Sequence, residues 1–565
     1  MSIPDLIILF STLAFIVIYG SYKTRGSKNI EGYLLGNNSM KWGTIGLSVM
    51  ATQASAITFL STPGQAYEDG MGFVQNYFGL PIAMIIISAV FIPIYYRLKV
   101  FTAYEYLEKR FDLKTRLLCA FLFLLGRGLS AGLTILAPAI ILSSILHWNL
   151  SFTVLITGIM VIIYTVSGGT RAVSLTQKFQ MGIIFIGMIT AFCLIVSYFP
   201  KEVSFIDAIR VAGKMDKLHA VDFSFDFSKR YTFWSGIIGG LFLSLSYFGT
   251  DQSQVGRYLA GKNITESRMG LMFNAILKIP MQFFILFTGV MVFVFYQFVQ
   301  PPVYFKQSAV NNILVKEHVH EYDSLTKAYS DNFRFKREGI LNMIGTIRKD
   351  NPIEIRKAEN QIKTLRDESK LIRNEVKQLI RKTDPGYDTN DTDYVFLTFI
   401  MTYLPKGVIG LLIAVIFSAA MSSSAGELNA LASTTTVDFY KRIISAKNTD
   451  KHYVVMSKIF TAFWGTMTIM FALLANQAEN LIQAVNIVGS LFYGTILGIF
   501  ISAFFFKILK GSAVFTGAIL AEFIVIILHF LTVRGLIHIG YLWYNAIGLV
   551  FTIIFGLIIQ TMIKK

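Results

Sequence analysis

Charged residues are scarce in this chain, 15% of 565, while hydrophobic residues make up 54% and mean hydropathy is +0.56. That balance excludes a pair of soluble domains and places the polypeptide in lipid. Cysteine is nearly absent. Cys119 and Cys193 both fall inside apolar blocks, so no disulfide framework is expected. Histidine is thin as well, with seven residues, and no His-rich metal cluster or nucleophile constellation stands in the apolar blocks, which argues against an enzyme. His147 and His538 lie near block ends, where interfacial placement accounts for them.

What is there is a series of thirteen apolar blocks, long enough at ~1.5 Å per residue to cross ~30 Å of hydrocarbon. They lie at 3–22, 43–63, 73–96, 115–146, 151–167, 178–199, 232–250, 268–299, 396–440, 455–475, 480–507, 512–533 and 541–562. The expectation is an all-α membrane protein with about 13 transmembrane helices: helices 1–8 in residues 1–299 and helices 9–13 in 396–565. The first block does not resemble a cleaved signal peptide. It lacks a basic leader, carries Asp5 near its start, and is followed by Lys23, Arg25 and Lys28.

Basic residues fall in alternate short loops: Lys23/Arg25/Lys28, Arg97/Lys99/Lys109/Arg110/Lys114/Arg116, Arg171/Lys178, Arg257/Lys262/Arg268, Lys441/Arg442/Lys447/Lys451, Lys507/Lys510 and Lys564/Lys565. Alternate loops share one side, and the positive-inside bias makes that side cytoplasmic. A multi-pass protein of a bacterial inner membrane is predicted, with the N-terminus outside and the C-terminus in the cytoplasm. The formal charge of +17 therefore reads as a topology signal, with no support for nucleic-acid binding.

Residues 300–395 depart from this pattern, being densely charged with both signs mixed. Ile355, Ala358, Ile362, Leu365, Ile372, Val376 and Leu379 occupy successive heptad positions, with Ser369 breaking the series. Phe335, Ile340, Leu341, Ile344 and Ile347 repeat at helical spacing upstream, and Asp350-Asn351-Pro352 supplies a break. An external helical hairpin is predicted. Two readings of it stand: a spacer packed on itself, or a docking site for a protein partner.

Two distant blocks are interrupted by small polar residues, Ala51-Thr52-Gln53-Ala54-Ser55-Ala56 in the second and 418–426 in the ninth. One reading is close helix packing. The other is a pair of broken helices whose carbonyls and hydroxyls offer hard oxygen ligands to a small cation near the midplane. Ser422 and Ser423 project from one turn, and the carbonyl of Ala419 can join them at a bend. Arg127 lies deep in the fourth block, where a guanidinium costs at least ~2.5–3.5 kcal/mol against lipid and needs a cavity or a partner. Its fork suits a solute carboxylate, and equally a structural pair with Glu427 or snorkelling to the interface. Lys278 is expected to meet water or a counter-charge.

Several segments together resemble the sodium/solute symporter family, which includes glucose, proline, iodide and sialic acid carriers. They are Tyr164-Thr165-Val166-Ser167-Gly168-Gly169-Thr170-Arg171-Ala172-Val173, Thr250-Asp251-Gln252-Ser253-Gln254-Val255-Gly256-Arg257-Tyr258, Thr102 to Phe111, and Ser422-Ser423 leading to Val437-Asp438-Phe439-Tyr440. The resemblance covers roughly 1–300 and 396–540. It implies a LeuT-like fold of two five-helix inverted repeats, blocks two to six and seven to eleven, and sodium-coupled symport of a small organic solute by alternating access. It further implies a Na+ site of the Ala51, Ala54 and Ala419 carbonyls with the Ser422 and Ser423 hydroxyls. The solute cavity would be lined by Gln53, Ser55, Thr58, Phe73, Asn76, Ser244 and Tyr247, with Asn486 added, and Tyr247 falls where some members place an inner aromatic gate. Arg127 falls where the sialic acid carriers bind a carboxylate, and 132–139 resembles the iodide and monocarboxylate branch, so an anion is expected. Gln177, Ala425 and Gly426 stand where members with a second sodium have ligands, which predicts one sodium. Thr58 and Tyr77 replace the polar pairs that grip hexoses. The rival expectation is a non-transporting receptor that keeps the carrier fold and signals through its hairpin.

Overall fold

A computed structural model of the chain describes residues 2–23, 32, 38–146, 148–167, 170–307, 310, 318–383, 389–445, 447–475 and 480–563. Arg25, Lys28, His147, Gly168, Gly169, Lys564 and Lys565 lie outside the described residues, as does the side chain of Arg171. Among the described residues regular structure is helical, and strand-like pairing is confined to one bridge between Met40 and Gly261. Among the described residues nine helical stretches are long and apolar enough to cross a membrane, and Ile3–Phe15, Leu150–Ile163 and Ser235–Gly249 are shorter apolar helices. The blocks at 43–63 and 73–96 meet in the stretch Ala56–Leu98, whose first helix ends at Gly70, where φ is 77°.

The Val408–Thr434 helix is the axis of the bundle. It packs on Ile3–Lys23, Leu113–Leu146, Thr170–Ser197 and Asp450–Leu474, and almost all of its side chains are buried. Its start is capped from another helix: Asp5 Oδ1 accepts the Gly407 amide at 2.6 Å and the Gly410 amide at 3.0 Å, a carboxylate at a helix N-terminus. A Cβ on Gly410 would lie 2.3 Å from the Asp5 carbonyl oxygen, so this crossing requires glycine.

Residues 418–426 continue that helix without interruption, which corrects the expectation of a bend in the ninth span. Alanine sustains the backbone ladder, and the small side chains serve close approach of neighbouring helices. The second span does break. The Trp42–Gln53 helix stops, Ala54 (ψ 71°) and Ser55 (ψ 174°) are non-helical, and Ala56–Asp69 resumes. A second break, not anticipated, falls between Gly240–Gly249 and Gln252–Leu259, where Asp251 is extended and caps the next helix by accepting the Ser253 amide at 2.8 Å. The leading helix of each expected repeat is thus discontinuous, as in carriers built from inverted repeats.

The insertion forms two helices, Val319–Arg348 and Pro352–Thr383, packed against each other across the turn at Asp350 (φ 53°). Ile340, Ile344, Ile355, Ile362, Val376 and Leu379 are buried in and around this pair. Phe335 is 52% exposed, so it leaves the predicted stripe. Ser369, the break in the heptad, sits in the seam and donates to Asn332 Oδ1 at 2.5 Å. The hairpin also lies on the rest of the chain: Arg348 bonds Asp207 Oδ2 at 2.6 Å, Lys214 meets Glu359 at 2.7 Å, and Arg373 meets Asp391 at 2.9 Å.

The Arg348 bond, together with Ser204, holds the Asp207 carboxyl down at about 2 from an ordinary 3.8. A depressed carboxyl stabilises the docked turn above its ordinary value, and that contribution is lost as the pH falls through about 2. Amide exchange of residues 340–355 should therefore accelerate in wild type only between those values, whereas Arg348→Ala should exchange faster at neutral pH. Equal exchange in both chains would remove this pair from the docking.

Candidate functional site

The break at Ala54-Ser55 borders a cavity of about 80 Å³ within the bundle. Gln53, Ser55, Asn76, Arg127, Ser244, Tyr247 and Asn486 line it, seven of the nine side chains expected for a solute site. Thr58 and Phe73 do not, which corrects the list. Thr58 lies in the first turn of the resumed helix, its amide on the Ser55 carbonyl at 2.9 Å, and is 1% exposed. Phe73 is spent on aromatic packing, 5.2 Å from Tyr231 and 5.9 Å from Tyr77. Thr52, Tyr77, Thr134, Glu427 and Tyr493 also line the cavity and were not on the list. The amide oxygens of Gln53 and Asn76 are buried there with no hydrogen-bond partner among the described residues. Orphaned acceptors of this kind call for a ligand or water.

Beside the cavity the break faces the axial helix. Ser423 Oγ donates to the Ala51 carbonyl at 3.3 Å, across a sequence separation of 372. Ser422 Oγ is buried without a hydrogen-bond partner among the described residues, and Ala54 and Ala419 are fully buried. Gln177 ties the two elements together, its amide donating to Thr52 Oγ1 at 3.1 Å and to the Ser422 carbonyl at 3.3 Å while its oxygen accepts Ser48 Oγ at 2.5 Å. An amide at this position therefore acts as a strut between helices where an acid would offer a cation ligand.

Arg127 is 3% exposed and held on every side. Its Nε meets Asp251 Oδ2 at 3.0 Å, with Nη2 on the same oxygen; Nη1 meets Glu427 Oε1 at 3.2 Å; Nη2 donates to the Tyr493 hydroxyl at 2.5 Å; and the Tyr247 ring lies 5.1 Å away. The Tyr493 hydroxyl in turn donates a hydrogen bond to Asp251 Oδ2 at 3.0 Å. The structural pair with Glu427 is thus present, and the guanidinium is not free for an incoming carboxylate. Asp251 was visible within a quoted motif, as an acid directly after an apolar run. Tyr493 carries no pattern that sequence could have exposed. Lys278, fully buried, lies 5.5 Å from the Tyr77 ring, and its amine has no hydrogen-bond partner among the described residues, which leaves water, of the two expected alternatives, to meet it.

The residue pattern of the sodium:solute symporter family is matched over 33–320 and 384–521. The chain belongs to that family. Its members are carriers and not enzymes, and the stretch between the two matched segments is the hairpin. A sodium-coupled monocarboxylate transporter 2 of Mus musculus is 25% identical over 90% of this chain and 69% of its own length. The Xenopus laevis sodium-coupled monocarboxylate transporter 1 is 35% identical over 46% of this chain, and the human sodium/iodide cotransporter 30% over 48%. The match spans 42% of each of those two proteins. Among solved structures, a Na+-coupled sialic acid symporter in a substrate-bound outward-open state superposes with a TM-score of 0.73 over 99% of this chain and 98% of that one, at 23% identity. The symporter fold is therefore shared from end to end.

One guanidinium set between two carboxylates in a buried site fixes the order of three substitutions. Arg127→Met leaves both acids without their cation and should lower stability most, by about 3–5 kcal/mol. Asp251→Asn keeps Glu427 as partner and should cost less, and Tyr493→Phe least, by about 1 kcal/mol. Thermal unfolding of the three variants in detergent checks the ranking.

Proposed function

We propose that this symporter-family chain carries a small organic anion into a bacterial cell together with one sodium ion, its N-terminus outside and its C-terminus in the cytoplasm. The observation that carries the reading is the Ala51 carbonyl, at the end of a broken helix, facing Ser423 Oγ at 3.3 Å beside a polar cavity. In this reading the cation replaces that hydrogen bond, held by the carbonyls of Ala51, Ala54 and Ala419 and the hydroxyls of Ser422 and Ser423. A carbonyl within a helix keeps a second lone pair, so the unbroken Val408–Thr434 helix does not disqualify Ala419.

The solute meets the neutral groups Gln53, Ser55, Asn76, Ser244 and Asn486, over a floor of Tyr247 and the Arg127 cluster. That cluster counts one positive against two negative formal charges, so an anion approaching before sodium is repelled. Sodium entering first offsets the excess, which gives an electrostatic reason for ordered binding. Opening to the other side separates Ala51 from Ser423 and releases both. The relatives that carry monocarboxylates and iodide support the choice of an anion, and Gln177 in place of an acid supports a single sodium.

A membrane potential contributes ~2.3 kcal/mol per 100 mV for each net charge moved, so one sodium with a monoanion gives no current. Uptake of labelled lactate or a sialic acid into proteoliposomes should need an inward sodium gradient and be electrically silent; uptake indifferent to sodium would end the proposal, and binding without accumulation would replace it with a receptor. Ser423→Ala should raise the sodium concentration for half-maximal uptake about tenfold or more, equivalent to ~1.4 kcal/mol.

A further inference from the structure

A second cavity, about 260 Å³ in volume, lies where the hairpin meets the end of the Ala56–Asp69 helix. Its walls include the aromatic side chains of Tyr67, Phe293 and Tyr329. Five cations line it, Lys217, Lys336, Arg366, Lys370 and Arg373, against the acids Glu68, Asp69 and Asp216. Lys336, Arg366, Lys370 and Arg373 come from the hairpin, outside the segments matched by the family.

The positive charges are unevenly answered. Arg373 is neutralised twice, by Asp391 at 2.9 Å and Glu68 at 3.4 Å. Arg366 donates to the Met215 carbonyl at 3.0 Å and reaches Asp216 at 3.9 Å, yet its buried Nε has no hydrogen-bond partner among the described residues. Lys217 donates to the Glu68 carbonyl at 2.5 Å and lies 4.6 Å from the Phe293 ring. Asp69 accepts from Gln65. Lys336 is 6% exposed; its amine lies 5.8 Å from the Phe333 ring, and no carboxylate among the described residues is within ion-pair distance of it. A buried ammonium without an opposite charge is among the costlier things a protein can hold. Burial and the neighbouring Arg373 and Arg366 push it down to about 8. Lys370 and Asp216 are exposed, so the cavity reaches solvent.

We infer that this chamber is a binding site for a small oxyanion, carboxylate or phosphate, whose charge is met by Lys336, Lys217 and the free Nε of Arg366, with Lys370 at the mouth. It is separate from the central cavity and does not rest on the transport reading. An occupant would clamp the hairpin to the Ala56–Asp69 helix, which begins at Ser55 in the central cavity and is bonded near its far end through Gln65 to Asn480 and to Gln483 at 2.8 Å. Occupancy would thus restrain the helix that starts at the break.

The test is equilibrium binding of inorganic phosphate, and separately of citrate, to the purified protein in potassium chloride, so that the sodium-dependent central site stays unengaged. Saturable binding of at least one probe is expected, with the probe that binds naming the class. Lys336→Met and the exposed Lys370→Ala should each weaken it about tenfold or more, since hydrogen bonds to charged groups are being removed. Ser423→Ala and Asn486→Ala, in the central site, should leave it unchanged. No saturable binding of any probe, equal affinity in both lysine variants, or a loss that follows Asn486→Ala instead would overturn the inference.

Discussion

Everything around the central cavity depends on a two-residue failure of one helix. At Ala54 and Ser55 the backbone leaves helical geometry inside a bundle whose spans satisfy most of their amides and carbonyls within helices. In lipid such a break survives only where protein or a polar cavity receives the freed groups. Here Ser423 Oγ receives the Ala51 carbonyl, and Gln177 braces Thr52 to the Ser422 carbonyl. The axial helix can offer those contacts because it stays intact, buried on nearly all sides and started by Asp5.

The second break, at Asp251, is tied to the first through charge. Asp251 caps the helix that follows it and at the same time holds Arg127, which in turn reaches Glu427 one turn past the serine pair. Three spans that are distant in sequence are thereby fixed around one guanidinium. This is also why Arg127 cannot be treated as an open anchor: its charge serves first to join helices. The hairpin repeats the theme outside the membrane-spanning segments, where Arg373 is taken up by Glu68 and Asp391 while Lys336 is left unanswered.

Much of the site was legible in the residues. Gln53, Ser55 and Asn76 stand out as polar groups within apolar runs, and they do line the cavity. Thr58 looked the same in sequence and is buried outside the lining, about 100° round the helix from Ile57, which does line the cavity. The small residues at 418–426 carried two meanings, and composition could not choose between a bend and tight packing, since alanine and serine serve both. Phe335 fits the helical period but lies on the outer side of the hairpin, as a period fixes spacing and not which neighbour arrives.

By itself the sequence determined the solvent of this protein, its helical class, the positions of its apolar runs and the presence of a charged hairpin, because these follow from local hydrophobicity and period. It also carried the motifs of its family. Only tertiary structure decided which polar groups face one another: Ala51 with Ser423, Arg127 with both Asp251 and Glu427, Lys336 with no acid. Such pairings span hundreds of residues, and the energy that selects them comes from burial, which no single segment possesses before the helices assemble.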